Sequence, residues 1–292
     1  MRRLLMMLAL LLGTAAMAVP DARAMPAGSG RIEVAETAGA SDGPMPVWYH
    51  RPAAWAADGR VVVVMHGLRR DADRYRDEWR ALAEAQGFLL LVPEFSEAKF
   101  PGIRWYNFGN LVDSEGRTVP AAAWTYPAFD RVVLAAMRAA GATRPRFMLY
   151  GHSAGAQFVH RYLLLTGAPL AERVVIANSG SYTLPRADRP FPAGLGGTTA
   201  DPATLRAVFE RPVVLQLAEE DTDPKHSSLP RQDWAVAQGS HRFARGWFFF
   251  DAMRRAAAAQ GAAFNWVVVT VPGVGHSNAG MAAHAAEHLL GN

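Results

Sequence analysis

The chain of 292 residues has no cysteine and only two lysines, Lys99 and Lys225. Without cysteine there is no disulfide framework, so the fold has to be held by packing alone. With so little lysine, nearly all the basic charge is arginine, which reads as a compositional bias and not as a nucleic-acid surface. Removing residues 1–24 takes away three arginines and one aspartate, and the formal charge falls from +4 to +2. The basic balance therefore carries no partner, and no nucleic acid is expected. Beyond residue 24 no segment is apolar enough to span a membrane.

The first 24 residues read as a signal peptide, not as part of a fold. Met1-Arg-Arg3 gives a positive start, Leu4 to Val19 an apolar core, and Ala22-Arg23-Ala24 a small-residue cleavage pattern before Met25. Ala16-Met17-Ala18 is a second cleavage candidate. The apolar run is too short, and too soon followed by Pro20-Asp21, for a stable membrane span. The expected product is exported, periplasmic or extracellular, with residues 25–292 forming a single domain.

Hydrophobic patterning divides that domain into an antiparallel start and an alternation. Strands are predicted over Arg31 to Glu36 and Met45 to His50, then at Val61 to Met65 and Phe88 to Val92 around a helix over Asp73 to Gln86. A helix opens at Pro127 and closes at Gly141. Further strands are expected at Phe147 to Tyr150, Val174 to Ala177, Val213 to Leu217 and Trp266 to Thr270. Helices are expected over Pro202 to Phe209, Phe243 to Gln260 and Gly280 to Leu290. Strand and helix in turn imply an α/β fold, a mostly parallel sheet with helices on both faces. Two irregular insertions, Glu94 to Tyr126 and Ala187 to Ala200, interrupt the rhythm; long insertions of this kind usually wall a site.

The chemistry is concentrated at strand ends. Gly151-His152-Ser153-Ala154-Gly155 follows an apolar strand and precedes a helical pattern, the G-x-S-x-G arrangement that bends the backbone sharply and holds a serine hydroxyl out from the sheet. A serine hydroxyl is a weak nucleophile, so it needs a base and an acid to orient that base. Strand Val213 to Leu217 runs into a loop holding Glu220, Asp221 and Asp223, and strand Trp266 to Thr270 runs into Gly273-Val-Gly-His276. Asp221 is the preferred acid, with Asp223 and Glu220 open beside it. The apolar strand Val61 to Met65 leads into His66-Gly67-Leu68, so the Leu68 N–H is a second oxyanion donor to set beside that of Ala154.

With His66-Gly67, Gly151-His-Ser-Ala-Gly155, Asp221 and Gly275-His276 in this order, the chain resembles the α/β-hydrolase superfamily from about Val61 to Leu290. In general layout it is similar to the exported esterases grouped with polyhydroxybutyrate depolymerases and feruloyl esterases. The resemblance implies Ser153 as nucleophile, His276 as base and Asp221 as orienting acid, in a carboxylic-ester hydrolase that works without cofactor or metal on a small or polymeric ester. One departure is Ala218, where a glycine usually stands three residues before the acid. The same acyl-enzyme also serves an acyltransferase or a serine peptidase, and the non-enzyme alternative is a binding protein on the same scaffold.

Other residues have competing readings. His284-Ala-Ala-Glu287-His288 matches the H-x-x-E-H zinc pattern, but no downstream acid follows to supply a third ligand, and it reads as the polar face of an alanine-rich helix. His66 and His152 read as structural or pocket residues. Phe100, Trp105, Tyr106, Phe108, Trp124 and Tyr126, in the first insertion, are candidates for an apolar or aromatic substrate pocket, with Trp105, Tyr106 and Trp124 preferred. Trp247 to Phe250 read as helix-to-sheet packing, and Arg69 and Arg70 as solvated surface or as partners for a substrate carboxylate.

Overall fold

Five consecutive apolar residues at Val61–Met65 and again at Leu89–Pro93 leave no polar face, so both segments need cover on two sides. The computed structural model, which describes residues 25–291, provides it. The expected signal segment, residues 1–24, lies outside the described residues. The strands are β1 (Gly28–Val34), β2 (Met45–Arg51), β3 (Val61–Met65), β4 (Leu89–Pro93), β5 (Phe147–His152), β6 (Ala171–Ala177), β7 (Val213–Ala218) and β8 (Trp266–Val271). They form one eight-stranded sheet in the order β1-β2-β4-β3-β5-β6-β7-β8. The first two strands are antiparallel to their neighbours and all later pairings are parallel.

The helices are α1 (Ala72–Gln86), a single turn α2 (Gly102–Trp105), α3 (Thr125–Ala139), α4 (Ala154–Thr166), α5 (Pro202–Glu210), a short α6 (Asp233–Val236), α7 (Arg242–Ala259) and α8 (Asn278–Leu290). α1 and α8 cover one face of the sheet, burying Trp79, Phe88, Tyr150 and Leu289 with the outward side chains of β3 to β5. α3, α4, α5 and α7 cover the other, around Phe129, Phe158, Tyr162 and Phe249. β3 leads out to β4 on one side, and the chain then returns to place β5 on the other. That reversal opens a crevice at the C-terminal ends of β3 and β5, where ligands of open α/β sheets bind.

Boundaries shift where tertiary contacts override local pattern. β1 begins at Gly28 and ends at Val34, because its register against β2 runs Gly28 to Arg51 through Val34 to Met45. Glu36 instead turns inward and accepts from Arg131 Nη2 and Nε, at 2.7 and 2.9 Å. α3 starts two residues before Pro127, which is tolerated because first-turn N–H groups have no intrahelical acceptor. Four aromatics in a row cannot share one helix face. Of Trp247 to Phe250, Phe249 is buried against Tyr182 at 4.3 Å, whereas Trp247 is 43% exposed.

Candidate active site

The turn between β5 and α4 is where the sheet geometry becomes chemistry. Ser153 has φ 57° and ψ −113°, a strained conformation for a residue with a side chain, and its N–H donates to the Ala177 carbonyl at 3.0 Å. The glycines on either side are required by close approach. A Cβ at Gly151 would overlap the Gly155 carbonyl, and one at Gly155 would overlap the carbonyl of Met65 at the end of β3. Gly155→Ala is therefore expected to cost about 1–3 kcal/mol of folding stability by overpacking. Chemical denaturation compared with the parent protein checks this; an unchanged midpoint would contradict the close approach.

Three side chains from three strand ends meet at this turn. His276 Nε2 lies 2.9 Å from Ser153 Oγ, and His276 Nδ1 lies 2.6 Å from Asp221 Oδ2. The loops carrying acid and histidine are joined by backbone bonds from Glu219 N–H to Val271 O (3.0 Å) and from Glu220 N–H to Val274 O (2.9 Å). Asp223, the alternative acid, is exposed and accepts from the Lys225 N–H at 2.8 Å, and Glu220 is also exposed. Ala218, in place of the usual glycine, closes the Asp221 turn by accepting its N–H at 3.2 Å. Leu68 and Ala154 border the same cleft as Ser153, and neither N–H is engaged in a hydrogen bond among the described residues.

Several neighbours of this group carry no sequence signal. Arg242, 1% exposed at the start of α7, sets Nη1 at 3.4 Å from Asp221 Oδ1 and donates through Nη2 to Ser228 Oγ at 2.9 Å. Nothing in an arginine-rich chain distinguishes it. The His276 ring is flanked by His152 at 4.8 Å and His226 at 5.2 Å between centroids. His226, five residues beyond Asp221, was within reach of a sequence reading because it shares the acid loop. Burial lowers the pKa of His276 below the ordinary histidine value; the Asp221 hydrogen bond opposes this and Arg242 reinforces it. His152 is held neutral chiefly by burial, with its Nδ1 bonded to Tyr75 Oη at 3.0 Å.

Most rings of the aromatic insertion do not line the cleft as expected. Tyr106 is fully buried, donates to the His66 carbonyl at 2.7 Å and stacks on the His66 ring at 4.7 Å. Trp124 is buried and donates to the Val119 carbonyl at 2.8 Å, while Trp105 packs against Phe100. Sequence position placed these rings in an irregular segment, but Tyr106 is drawn in against His66 and Trp124 into the core, away from the opening. Of the candidate rings Phe108 borders the cleft, beside Ile103 and Asn107 and opposite Ser228 to Arg231, around a space of about 260 Å³. Arg70 is buried too, donating to the Phe95, Phe100 and Gly102 carbonyls, so it ties the insertion to the 66–68 loop. His66 is neutral, its pKa lowered to about 3 by burial, and its Nε2 accepts the Phe95 N–H at 3.0 Å.

His284 and Glu287 lie exposed on α8. Among the described residues no group of three or more His, Cys, Asp or Glu side chains gathers around a metal-sized space, and no helix is long and apolar enough to cross a membrane.

A mostly parallel sheet with a strained serine after a central strand, and an acid and a histidine after the last two, is the architecture of an α/β hydrolase. Poly(aspartic acid) hydrolase-1 from Sphingomonas sp. KT-1 is 36% identical over 91% of this chain and 100% of its own, with a TM-score of 0.86. A poly(3-hydroxybutyrate) depolymerase from Bordetella parapertussis is 34% identical over 90% of each chain, with a TM-score of 0.83. An S-formylglutathione hydrolase from Agrobacterium tumefaciens, 16% identical over 91% of this chain and 95% of its own at a TM-score of 0.57, shares the fold. No family model and no curated protein matches the chain. The chain belongs to the α/β-hydrolase superfamily and is one of its hydrolases.

Proposed function

We propose that the chain is an exported serine hydrolase that cleaves carboxylic esters through an acyl-enzyme, without a cofactor. The observation that carries this is the continuous contact from Asp221 through His276 to Ser153, at 2.6 and 2.9 Å. Asp221 holds Nδ1–H of His276, so Nε2 is the basic nitrogen that faces the serine. As Ser153 Oγ attacks the ester carbonyl, its proton passes to Nε2, and the Leu68 and Ala154 N–H groups receive the oxyanion. The imidazolium then gives that proton to the leaving alcohol, and water repeats the cycle to release the acid. The relative named for poly(3-hydroxybutyrate) supports an ester, including a polymeric one.

Treatment with a fluorophosphonate followed by peptide mapping tests the nucleophile. An adduct on Ser153 is expected, and an unmodified Ser153 in active protein would end the reading. The pH profile tests the base. A lowered pKa keeps His276 neutral into more acidic solution, so kcat/KM should fall on acidification with a midpoint below about 6.5. Arg242→Gln removes a cation that disfavours the imidazolium and should move that midpoint upward. A midpoint above the ordinary histidine value in the parent protein contradicts the assignment.

A second reading is favoured by the 36% identical relative, whose name specifies a polyamide. Rates on matched ester and amide substrates separate the two, since an amide rate equal to the ester rate would move the assignment to amide hydrolysis. Export rests on residues 1–24, with residues 25–292 as the mature single domain. N-terminal sequencing of the secreted or periplasmic protein should begin at Met25 or at Val19; a product retaining Met1 contradicts it.

A further inference from the structure

The cleft beside Ser153 has a polar wall that the reaction above does not use. Gln157 lies one turn along α4 from Ser153, its N–H donating to the Ser153 carbonyl at 3.1 Å, and its side chain borders the same cleft. Two donors converge on its amide oxygen, Arg161 Nη1 at 3.3 Å and Ser181 Oγ at 3.3 Å. With Oε1 so occupied, the amide orientation is fixed. Nε2, hydrogen-bonded to nothing among the described residues, is the group that Gln157 offers to a ligand.

Behind Gln157 stands a cation with no counter-charge. Arg161 is fully buried and has no carboxylate partner among the described residues. It donates from Nε to Thr183 Oγ1 (2.8 Å) and from Nη1 to the carbonyls of Asn107 (3.0 Å) and Gln157 (3.1 Å). Nη2 has no partner among the described residues, and the guanidinium lies 4.6 Å over the Phe108 ring, which borders the cleft. Burial lowers its pKa to about 9, which still leaves it charged at neutral pH. A buried cation satisfied by neutral acceptors favours electron-rich atoms nearby and polarises the amide it grips. Among the described residues no aspartate or glutamate borders the cleft, and Arg231 stands at its rim. The wall thus carries uncharged polar groups and cations but, among the described residues, no anion.

We propose that Gln157, held by Arg161, is a specificity-determining donor for a second carbonyl or carboxylate oxygen carried by the substrate beside the scissile group. The inference rests on Ser153 being the nucleophile and adds a preference for oxygen-bearing chains over plain hydrocarbon ones. A polymer of hydroxy acids meets the requirement because each repeat carries its own carbonyl.

Matched esters test it. On the acyl side, 4-nitrophenyl pentanoate is compared with its 4-oxo analogue and with the 4-nitrophenyl hemisuccinate; on the alcohol side, butyl acetate is compared with 3-oxobutyl acetate. The parent protein should prefer an oxygenated member of at least one set by about 10-fold or more in kcat/KM, since a site built to hydrogen-bond an oxygen discriminates against its absence. Which member gains shows whether a neutral carbonyl or a carboxylate is taken, and from which side. Gln157→Leu should bring that ratio to within about 2-fold. Gln157→Glu guards against misfolding, because its carboxylate pairs with Arg161, and it should also abolish the preference by presenting an acceptor in place of the donor. No preference in the parent protein, or the same ratio in both variants, overturns the proposal. If fluorophosphonate fails to label Ser153, the underlying nucleophile assignment fails; if labelling and turnover are normal but the ratios do not move, only the role of Gln157 fails.

Discussion

Ser153→Ala is expected to lower turnover on the order of 10⁴- to 10⁶-fold, the range seen when a serine nucleophile is removed from an otherwise intact triad. The size follows from the geometry. His276 Nε2 sits 2.9 Å from the hydroxyl, and without it the imidazole is left to act only on water. The remaining oxyanion donors and the cleft still bind substrate, which is why the loss is finite. Ser153 Oγ is hydrogen-bonded only to His276 among the described residues, so folding should be nearly unaffected. Kinetics on one ester, with a thermal melt of both proteins, checks both halves. A variant that keeps more than about 1% of the parent kcat would show that another group attacks the carbonyl.

Asp221→Asn is expected to cost about 10⁴-fold in kcat at neutral pH, through the wrong histidine tautomer. Arg242 decides how the new amide sits. Its Nη1 faces Oδ1 at 3.4 Å, so the asparagine oxygen should stay with the guanidinium and the NH₂ should turn toward His276. Nδ1 must then accept, which puts the ring proton on Nε2 and removes the lone pair that would take the serine proton. The substitution also leaves the buried Arg242 cation without its counter-charge, so a lower melting temperature should accompany the kinetic loss. Asp223→Asn is the control, because that side chain is exposed and only caps a local turn. A few-fold change is expected there; a loss equal to that of Asp221→Asn would mean that the acid is misassigned.

The parts of the site that could be read in the sequence are those made by local backbone demands. A nucleophile turn needs small residues two positions either side of the serine, and Gly151 and Gly155 announce it because no side chain fits against β3 there. The acid loop and the histidine follow apolar strands, and parallel strands deliver such loops to one edge, so their meeting there was legible, while the choice of Asp221 over Asp223 and Glu220 needed the contact with His276. Arg242, Arg161 and Gln157 were not. Each depends on at least one partner distant in the chain, Asp221 for Arg242, Asn107 for Arg161 and Ser181 for Gln157, and no local motif encodes that. The aromatic insertion failed for a related reason. Tyr106 and Trp124 lie in irregular backbone, but burying their rings in the core removes more apolar surface from water than lining an open cleft would.

The two backbone bonds that join the acid loop to the histidine loop have a consequence for engineering this fold. Residues 219–220 and 271–274 are clasped, so a length change in either loop is expected to move Asp221 and His276 together. Swapping in a longer acid loop alone would displace His276 from the serine even with its own sequence untouched. Transplanting the pair together preserves their mutual geometry and leaves a single joint, the 2.9 Å contact with Ser153, to be refitted.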